Sequence, residues 1–252
     1  DYLTKLAPRD GSVQLQKITT QMGVLVLAGP KSRAVLQKLT DTDLSNDNFK
    51  WLTGKSINVG YAQAEALRVN FVGELGWELH HPIEMQNYIF DELIKAGAEF
   101  DIKPFGMRAM MSLRLDKFFG SWLSEFSPDY TPAETGLDKF INFKKDYDFI
   151  GRSAAYAEHI NGCERKLCIF EVDADDADVV GYEPISLGNK VVGFCTSGGF
   201  SHHTGKSIAF GFLPVTEIND SAEVQIEIMG RQKLAKILTK PIFDSNNSKM
   251  RN

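Results

Sequence analysis

The sequence has only three cysteines, Cys163, Cys168 and Cys195, among its 252 residues. Their odd number and the lack of a C-x-x-C pair argue against a disulfide framework or a zinc site. We therefore expect a reducing compartment, the cytosol or the mitochondrial matrix. The sequence also lacks a signal-peptide pattern and any apolar run near the roughly 18 residues of a membrane span, so no membrane partner is expected.

Basic residues are neither abundant nor clustered. The formal net charge is −5, and no run of Lys or Arg exceeds a pair such as Lys144-Lys145. A nucleic-acid-binding domain usually presents a basic face, so no nucleic acid partner is expected. The glycines form no G-x-G-x-x-G fingerprint, and a dinucleotide-binding fold is therefore not predicted.

The apolar pattern in the first part of the chain predicts strands and helices in alternation. Residues 13–20 and 22–30 read as strands and 57–72 as two strands with a turn between them, whereas 31–40 and 82–100 read as helices. Strand, helix, strand, strand, helix is the order of a ferredoxin-like α+β unit. This part of the chain is therefore predicted to form an α+β lobe.

The pattern changes near Cys163. Two more helices are predicted before it, over 106–119 and after Gly151, and short alternating runs at intervals of about ten residues follow it. These runs are 166–173, 190–199, 207–214 and 222–229. They predict an all-β barrel or jelly-roll domain. We place the domain boundary near residues 160–164, which gives one domain over 1–162 and another over 163–252.

Four motifs carry a resemblance to a known family. They are 71-FVGELGWEL-79, 108-RAMMSLRLDKFFGSW-122, 132-PAETGLDKFINFKKDYDFIGR-152 and 193-GFCTSGGFSHHTGKSIAFGFLP-214. In this order they resemble the tetrahydrofolate-dependent aminomethyltransferase family, the glycine cleavage T-protein and its relatives. Within that family the chain looks most like the folate-binding C-terminal half of dimethylglycine and sarcosine dehydrogenases.

The resemblance implies a three-lobed fold that holds folate in a central channel. It implies one-carbon transfer, in which tetrahydrofolate captures an aminomethyl or methylene group from a donor derived from a methylated amine. In the dehydrogenase branch a separate flavin domain or subunit oxidises the amine, so FAD is expected there and not on this chain. A folate-dependent S- or O-demethylase relative stays open as an alternative.

The first motif contains the main candidate ligand residue. In the family, the carboxylate at the position of Glu78 anchors the pterin, and Glu74 matches a position with a structural or supporting role. One carboxylate can accept both N–H donors of the pterin edge in a fork. The alternative is that both glutamates cap a turn and face water.

Three further residues are candidates for binding the same ligand. Phe71 stands where the family commonly has a tyrosine, and Trp122 stands where it often has an aromatic next to the pterin. Arg114 is expected to contact the ligand or to pair with Asp116, Glu134 or another carboxylate. For Trp122 a place in the hydrophobic core is the alternative.

No metal site is predicted. His202 and His203 are adjacent, and adjacent residues of a strand point to opposite faces. Only one of the two could therefore face a given metal ion, which needs several ligands, and no third ligand lies near them in the sequence.

The catalytic residue of the family is not found. The resemblance implies an aspartate on a strand of the first lobe, upstream of the segment that begins at Gly23, but the 22 preceding residues contain no glycine-rich turn followed by an acidic strand. We therefore leave the catalytic residue unassigned. Three interpretations stay open: a fragment of a longer enzyme, a subunit whose partner supplies the flavin domain and the acid, or a non-catalytic folate-binding module.

Overall fold

The chain consists of two compact units. A computed structural model describes residues 2–219 and 222–252. The first unit runs to Asn70 and also contains Glu74–Lys103 and Met250–Asn252, whereas the second contains Phe71–Gly73 and Pro104–Lys249. The predicted α+β segment followed by an all-β barrel is confirmed. The domain boundary predicted between residues 162 and 163 stays a prediction.

The first unit is built on a four-stranded antiparallel sheet with the strand order β1-β4-β3-β2. Its helices and strands are α1 (Tyr2–Leu6), β1 (Met22–Ala28), α2 (Ser32–Gln37), β2 (Gly54–Val59), β3 (Ala62–Leu67), β4 (Gly76–Pro82) and α3 (Gln86–Gly97). Placing β4 between β1 and β3 makes it a central strand of the sheet. Its backbone direction is therefore fixed on both sides.

The hydrophobic core of this unit lies on one face of the sheet. Trp77 and Leu79 of β4 are fully buried and belong to one cluster with Leu36 of α2 and with Ile89 of α3. Side chains alternate between the two faces along a strand, so Glu78 and His80 lie on the opposite face. The β1 residues opposite these two on that face, Val26 and Val24, are 41% and 46% exposed.

The second unit is built around a closed six-stranded barrel with the order β10-β5-β8-β7-β6-β9. Its elements are α4 (Met107–Asp116), α5 (Pro132–Thr135), α6 (Arg152–Asn161), β5 (Arg165–Val172), β6 (Pro184–Leu187), β7 (Lys190–Ser201), β8 (Lys206–Pro214), β9 (Glu223–Ile228) and β10 (Arg231–Leu238); α7 (Ser248–Arg251) follows in sequence. Closure pairs every strand on both sides and leaves no barrel edge.

The barrel interior contains two of the three cysteines. Cys195 on β7 and Cys168 on β5 are buried among aliphatic and aromatic side chains. Burial raises the pKa of Cys168 to about 12 and also raises the pKa of Cys195. Both thiols therefore stay protonated near neutral pH and act as apolar packing groups.

Some elements differ from the prediction. Residues 13–20 form no strand, and Val13, Leu15 and Ile18 are exposed. An alternating sequence forms a strand only where a neighbouring strand offers hydrogen bonds, and within the described residues β1 pairs only with β4. In the predicted helix over 82–100, a 3-10 turn precedes α3, which begins at Gln86.

Strands β6 and β10 were not predicted from the sequence. Strand β6 has only four residues, and β10 (RQKLAKIL) has charged residues at three of its eight positions. Its buried residues, Ala235 and Ile237, nevertheless alternate with the exposed Leu234 and Lys236, as expected of a strand with one solvated face. Among the described residues, no helix has the length and apolar character needed to cross a bilayer.

We expect that replacing Gly211 by alanine weakens the barrel. A Cβ at this position of β8 would lie 2.6 Å from the carbonyl oxygen of Phe194 and 3.1 Å from the Cα of Cys195. Backbone atoms of β7 cannot move aside as a side chain can, so the free energy of unfolding should fall by about 2 kcal/mol. Urea denaturation measures the change.

Gly106→Ala is the matched control for this variant. A Cβ at Gly106 would meet no atom within 4 Å. If both variants have the urea unfolding midpoint of the parent chain, the inference that β7 and β8 lie too close at Gly211 to admit a Cβ is wrong.

Candidate functional site

The turn before β4 and the start of that strand determine where the two motif glutamates lie. Gly76 opens β4 so close to β1 that a Cβ would stand 2.5 Å from the carbonyl oxygen of Leu27. Any larger residue would push the two strands apart, which accounts for a glycine before Trp77. Glu74 lies in the turn, and Glu78 lies on the strand.

Glu78 points to the sheet face that carries no core. Its side chain is 31% exposed, and its Oε2 lies 3.1 Å from Nε2 of His80. Its register neighbours on the flanking strands are Val26 and Leu67, whose side chains have no polar atom. Within the described part of the chain, Oε1 of Glu78 has no hydrogen-bond partner. The carboxylate can therefore accept donors from a ligand.

Glu74 has a different environment. It is half-buried, and its backbone carbonyl accepts a hydrogen bond from the side-chain amide of Asn70. That bond closes the turn between β3 and β4 locally. The two glutamates thus lie in different places: Glu74, with its predicted structural role, lies in the turn, and Glu78, with its predicted ligand role, lies on the strand.

Phe71 and Trp122 belong to the second unit. The Phe71 ring stacks on Phe119, with ring centroids 6.1 Å apart and planes inclined by 18°. Trp122 is 78% exposed, and its closest aromatic partner is Phe126, met edge-on at 6.0 Å. The alternative of a core tryptophan is therefore wrong. Contact of either ring with a ligand stays a prediction.

Arg114 forms a buried ion pair with Glu125. The Nη1 group donates to Oε2 of Glu125 at 3.0 Å, and both side chains are almost completely inaccessible. The guanidinium also lies 5.2 Å from the centroid of the Phe210 ring. Burial lowers the pKa of Arg114, and the carboxylate of Glu125 opposes this shift, so the group stays charged.

Glu125 is the acceptor at the centre of a larger network. Besides Arg114, it accepts hydrogen bonds from the Ser121 amide at 2.8 Å, the Thr196 hydroxyl at 2.6 Å and the Ser197 hydroxyl at 2.5 Å. A buried carboxylate needs such donors because burial removes the hydrogen bonds that water would otherwise donate to it. The network joins the segment that carries Trp122 to strand β7 of the barrel.

The other predicted partners of Arg114 are engaged elsewhere. Asp116 pairs with His203, whose Nδ1 lies 2.6 Å from Oδ2, and Glu134 pairs with Arg165 at 2.7 Å. Glu134 also closes a capping box with Thr131 at the start of α5. In the described ranges, no three His, Cys, Asp or Glu side chains converge on a point that could hold a metal ion.

Glu125 and His80 were not predicted from the sequence. Glu125 was missed because its side-chain partners lie 11, 71 and 72 positions away, beyond any local pattern. His80 was missed although a signal existed: residues two apart on a strand share a face, so a histidine two positions after Glu78 lies beside it. Glu74, Glu78 and His80 belong to the first unit, and Phe71, Arg114 and Trp122 belong to the second.

Two family models match the chain. Residues 1–145 match the GCVT N-terminal domain, and residues 165–244 match the glycine cleavage T-protein C-terminal barrel domain. The second match covers all six strands of the closed barrel, β5 to β10.

Several curated proteins are similar over almost the whole chain. Mitochondrial dimethylglycine dehydrogenase of Homo sapiens is 41% identical over 91% of this chain and 27% of that protein. Mitochondrial sarcosine dehydrogenase of Homo sapiens is 32% identical over 98% of the chain and 28% of that protein. The chain thus spans little more than a quarter of the length of these relatives. An aminomethyltransferase of Caldanaerobacter subterraneus subsp. tengcongensis is 29% identical over 94% of the chain and 63% of that protein.

One solved structure has a similar fold. The glycine cleavage system aminomethyltransferase T of Bartonella henselae superposes with a TM-score of 0.78, over 89% of this chain and 60% of that one. The identity is 22%, so this likeness shows the fold alone.

We expect Arg114→Met to destabilise the second unit. The substitution leaves the Glu125 carboxylate buried without its cationic partner, which typically costs about 3–5 kcal/mol. The remaining donors, Ser121, Thr196 and Ser197, should keep the loss near the lower end, about 3 kcal/mol. Urea denaturation of the variant and of the parent chain measures it.

The control is Lys103→Met, which breaks the exposed pair of Lys103 with Asp101. That pair stands in water, so the unfolding midpoint should not change measurably. Equal midpoints for both variants would show that Arg114 has no part in holding Glu125.

Proposed function

Because the chain belongs to the glycine cleavage T-protein family, we propose that it binds tetrahydrofolate and serves folate-dependent one-carbon transfer. The matches over residues 1–145 and 165–244 support this proposal, as does the likeness to an aminomethyltransferase and to dimethylglycine and sarcosine dehydrogenases. The proposed donor of the one-carbon group is a methylated amine or a product of its oxidation.

The observation that carries the proposal is the placement of Glu78. The carboxylate lies on the coreless face of a central strand and stands between Val26 and Leu67, and one of its oxygens has no hydrogen-bond partner among the residues that the structure describes. The edge of a pterin ring presents an amino group and a ring N–H side by side. A carboxylate accepts such a pair in two charge-assisted hydrogen bonds, which strengthen when the bound ring displaces water from it.

The other predicted ligand residues take secondary roles in this proposal. Phe71 and Trp122 provide aromatic surfaces, and the exposure of Trp122 leaves its ring available for stacking. Arg114 acts indirectly, because it holds Glu125 and thereby the Ser121 amide next to Trp122. Glu74 supports the turn that leads into β4.

The proposed chemistry needs few groups from this chain. Tetrahydrofolate, when bound, supplies the nitrogen atoms that accept the one-carbon unit. Anchoring the pterin through Glu78 replaces a bimolecular encounter by a positioned one, and this effect alone can supply several kcal/mol of the barrier. Apolar neighbours of the reacting end would keep water from hydrolysing the activated donor. We assign no catalytic acid or base.

The proposal places the oxidation of the amine on another polypeptide segment. The dehydrogenases to which the chain is similar are more than three times its length. We propose that FAD binds on such a further domain or on a partner subunit and not on the residues described above. A mitochondrial or cytosolic location accords with this assignment, and the two human relatives are named as mitochondrial proteins.

Glu78→Gln should weaken the binding of a reduced folate by about 1–3 kcal/mol, because a charge-assisted acceptor is lost while the size of the side chain is kept. Isothermal titration calorimetry with 5-formyltetrahydrofolate, which resists oxidation, measures the affinity. An affinity equal to that of the parent chain would remove Glu78 from the site.

The matched control is Glu65→Gln. Glu65 lies on the same face of the sheet, but its carboxylate accepts a hydrogen bond from the Ser56 hydroxyl. This variant should bind folate as the parent chain does. A second assay, capture of formaldehyde by the folate-loaded chain, separates a transferase from a binding module. If the chain binds folate but captures no formaldehyde, even with the flavin partner present, it is a non-catalytic folate-binding module.

A further inference from the structure

His80 forms the one polar contact that Glu78 makes among the described residues. The two side chains are 32% and 31% exposed and lie on the same face of β4, two positions apart. An ionised carboxylate only accepts hydrogen bonds, so Nε2 of His80 carries the hydrogen and donates it to Oε2 of Glu78. The next residue, His81, is buried on the core side and bonds to Leu79 and Gln86 instead.

The residues beside His80 on the flanking strands offer its imidazole no other hydrogen bond. Its register partners are Val24 on β1 and Glu65 on β3. Val24 has no polar side-chain atom, and the carboxylate of Glu65 is held by Ser56 of β2. The hydrogen bond to Glu78 is therefore the interaction that determines where the imidazole lies.

The same bond determines where the carboxylate of Glu78 lies. Val26 and Leu67 border Glu78 on the flanking strands, and neither can hold it by a hydrogen bond. Without His80 a glutamate of three rotatable bonds would sample several rotamers, and a ligand would have to select one of them at an entropic cost. With His80 bound to Oε2, Oε1 is presented in one direction.

We propose that His80 is a positioning residue for ligand binding by Glu78: it fixes Oε2 and leaves Oε1, together with the second lone pair of Oε2, to accept the paired N–H donors of the ligand. This inference rests on the proposed function, since the ligand is the reduced pterin assigned there. His80 itself touches no ligand atom in this arrangement.

Two substitutions of His80 test the inference by calorimetric titration with 5-formyltetrahydrofolate. His80→Leu removes the donor and should weaken binding roughly tenfold, the effect of one lost hydrogen bond to a charged acceptor. His80→Gln places an amide N–H at a similar reach and should restore the affinity to within about twofold of the parent chain, since the bond and not the ring is what matters.

Asn58→Leu is the matched control, because it makes the same change from polar to apolar at an exposed position two strands away on the same face. It should bind as the parent chain does. Urea unfolding of each variant shows that the sheet is intact before its affinity is compared. If His80→Gln is as weak as His80→Leu, or if His80→Leu binds normally, the inference is overturned.

Glu78→Gln, titrated in the same series, keeps the two proposals apart. A weakened Glu78→Gln beside a normal His80→Leu overturns only the role of His80. A normal Glu78→Gln overturns the folate site itself, and with it any positioning by His80.

Discussion

Burial of Trp77 and Leu79 against helices α2 and α3 is the constraint on which the candidate site depends. A strand alternates its side chains, so fixing these two residues in the core forces Glu78 and His80 to the other face. Strand β4 is hydrogen-bonded on both sides and cannot slip by one residue without moving the indole of Trp77 into water. The position of the carboxylate thus follows from apolar packing on the far side of the sheet.

The second unit uses a buried charge for a comparable purpose. The segment around Trp122 has no helix or strand of its own, and the Glu125 carboxylate ties it to α4 through Arg114 and to β7 through two hydroxyl groups. A buried ion pair adds little net stability compared with an apolar pair of the same volume, but it tolerates few alternative arrangements. Here it holds a solvent-exposed aromatic side chain on an otherwise irregular segment.

The sequence allowed prediction of the elements whose signals are local. The alternation around Glu78, the helix before Gly97 and the regular strand runs after Cys163 all appear as predicted, because each depends on neighbours within a few positions. The partner of Arg114 was beyond such reasoning, since the network joins residues from three separate segments. Residues 13–20 show the opposite error: their alternation is real, but no strand within residues 2–219 and 222–252 pairs with them.

Closure of the barrel has a consequence for the order in which the second unit can form. Strand β5 pairs with β8 and with β10, so the first barrel strand in the sequence can complete its pairing only when the last one is present. Pairings between residues far apart in the sequence slow folding, because a long stretch of chain loses conformational entropy before the stabilising contact forms. Before β9 and β10 have emerged from the ribosome, the half-made barrel would expose the open sides of β5 and β6.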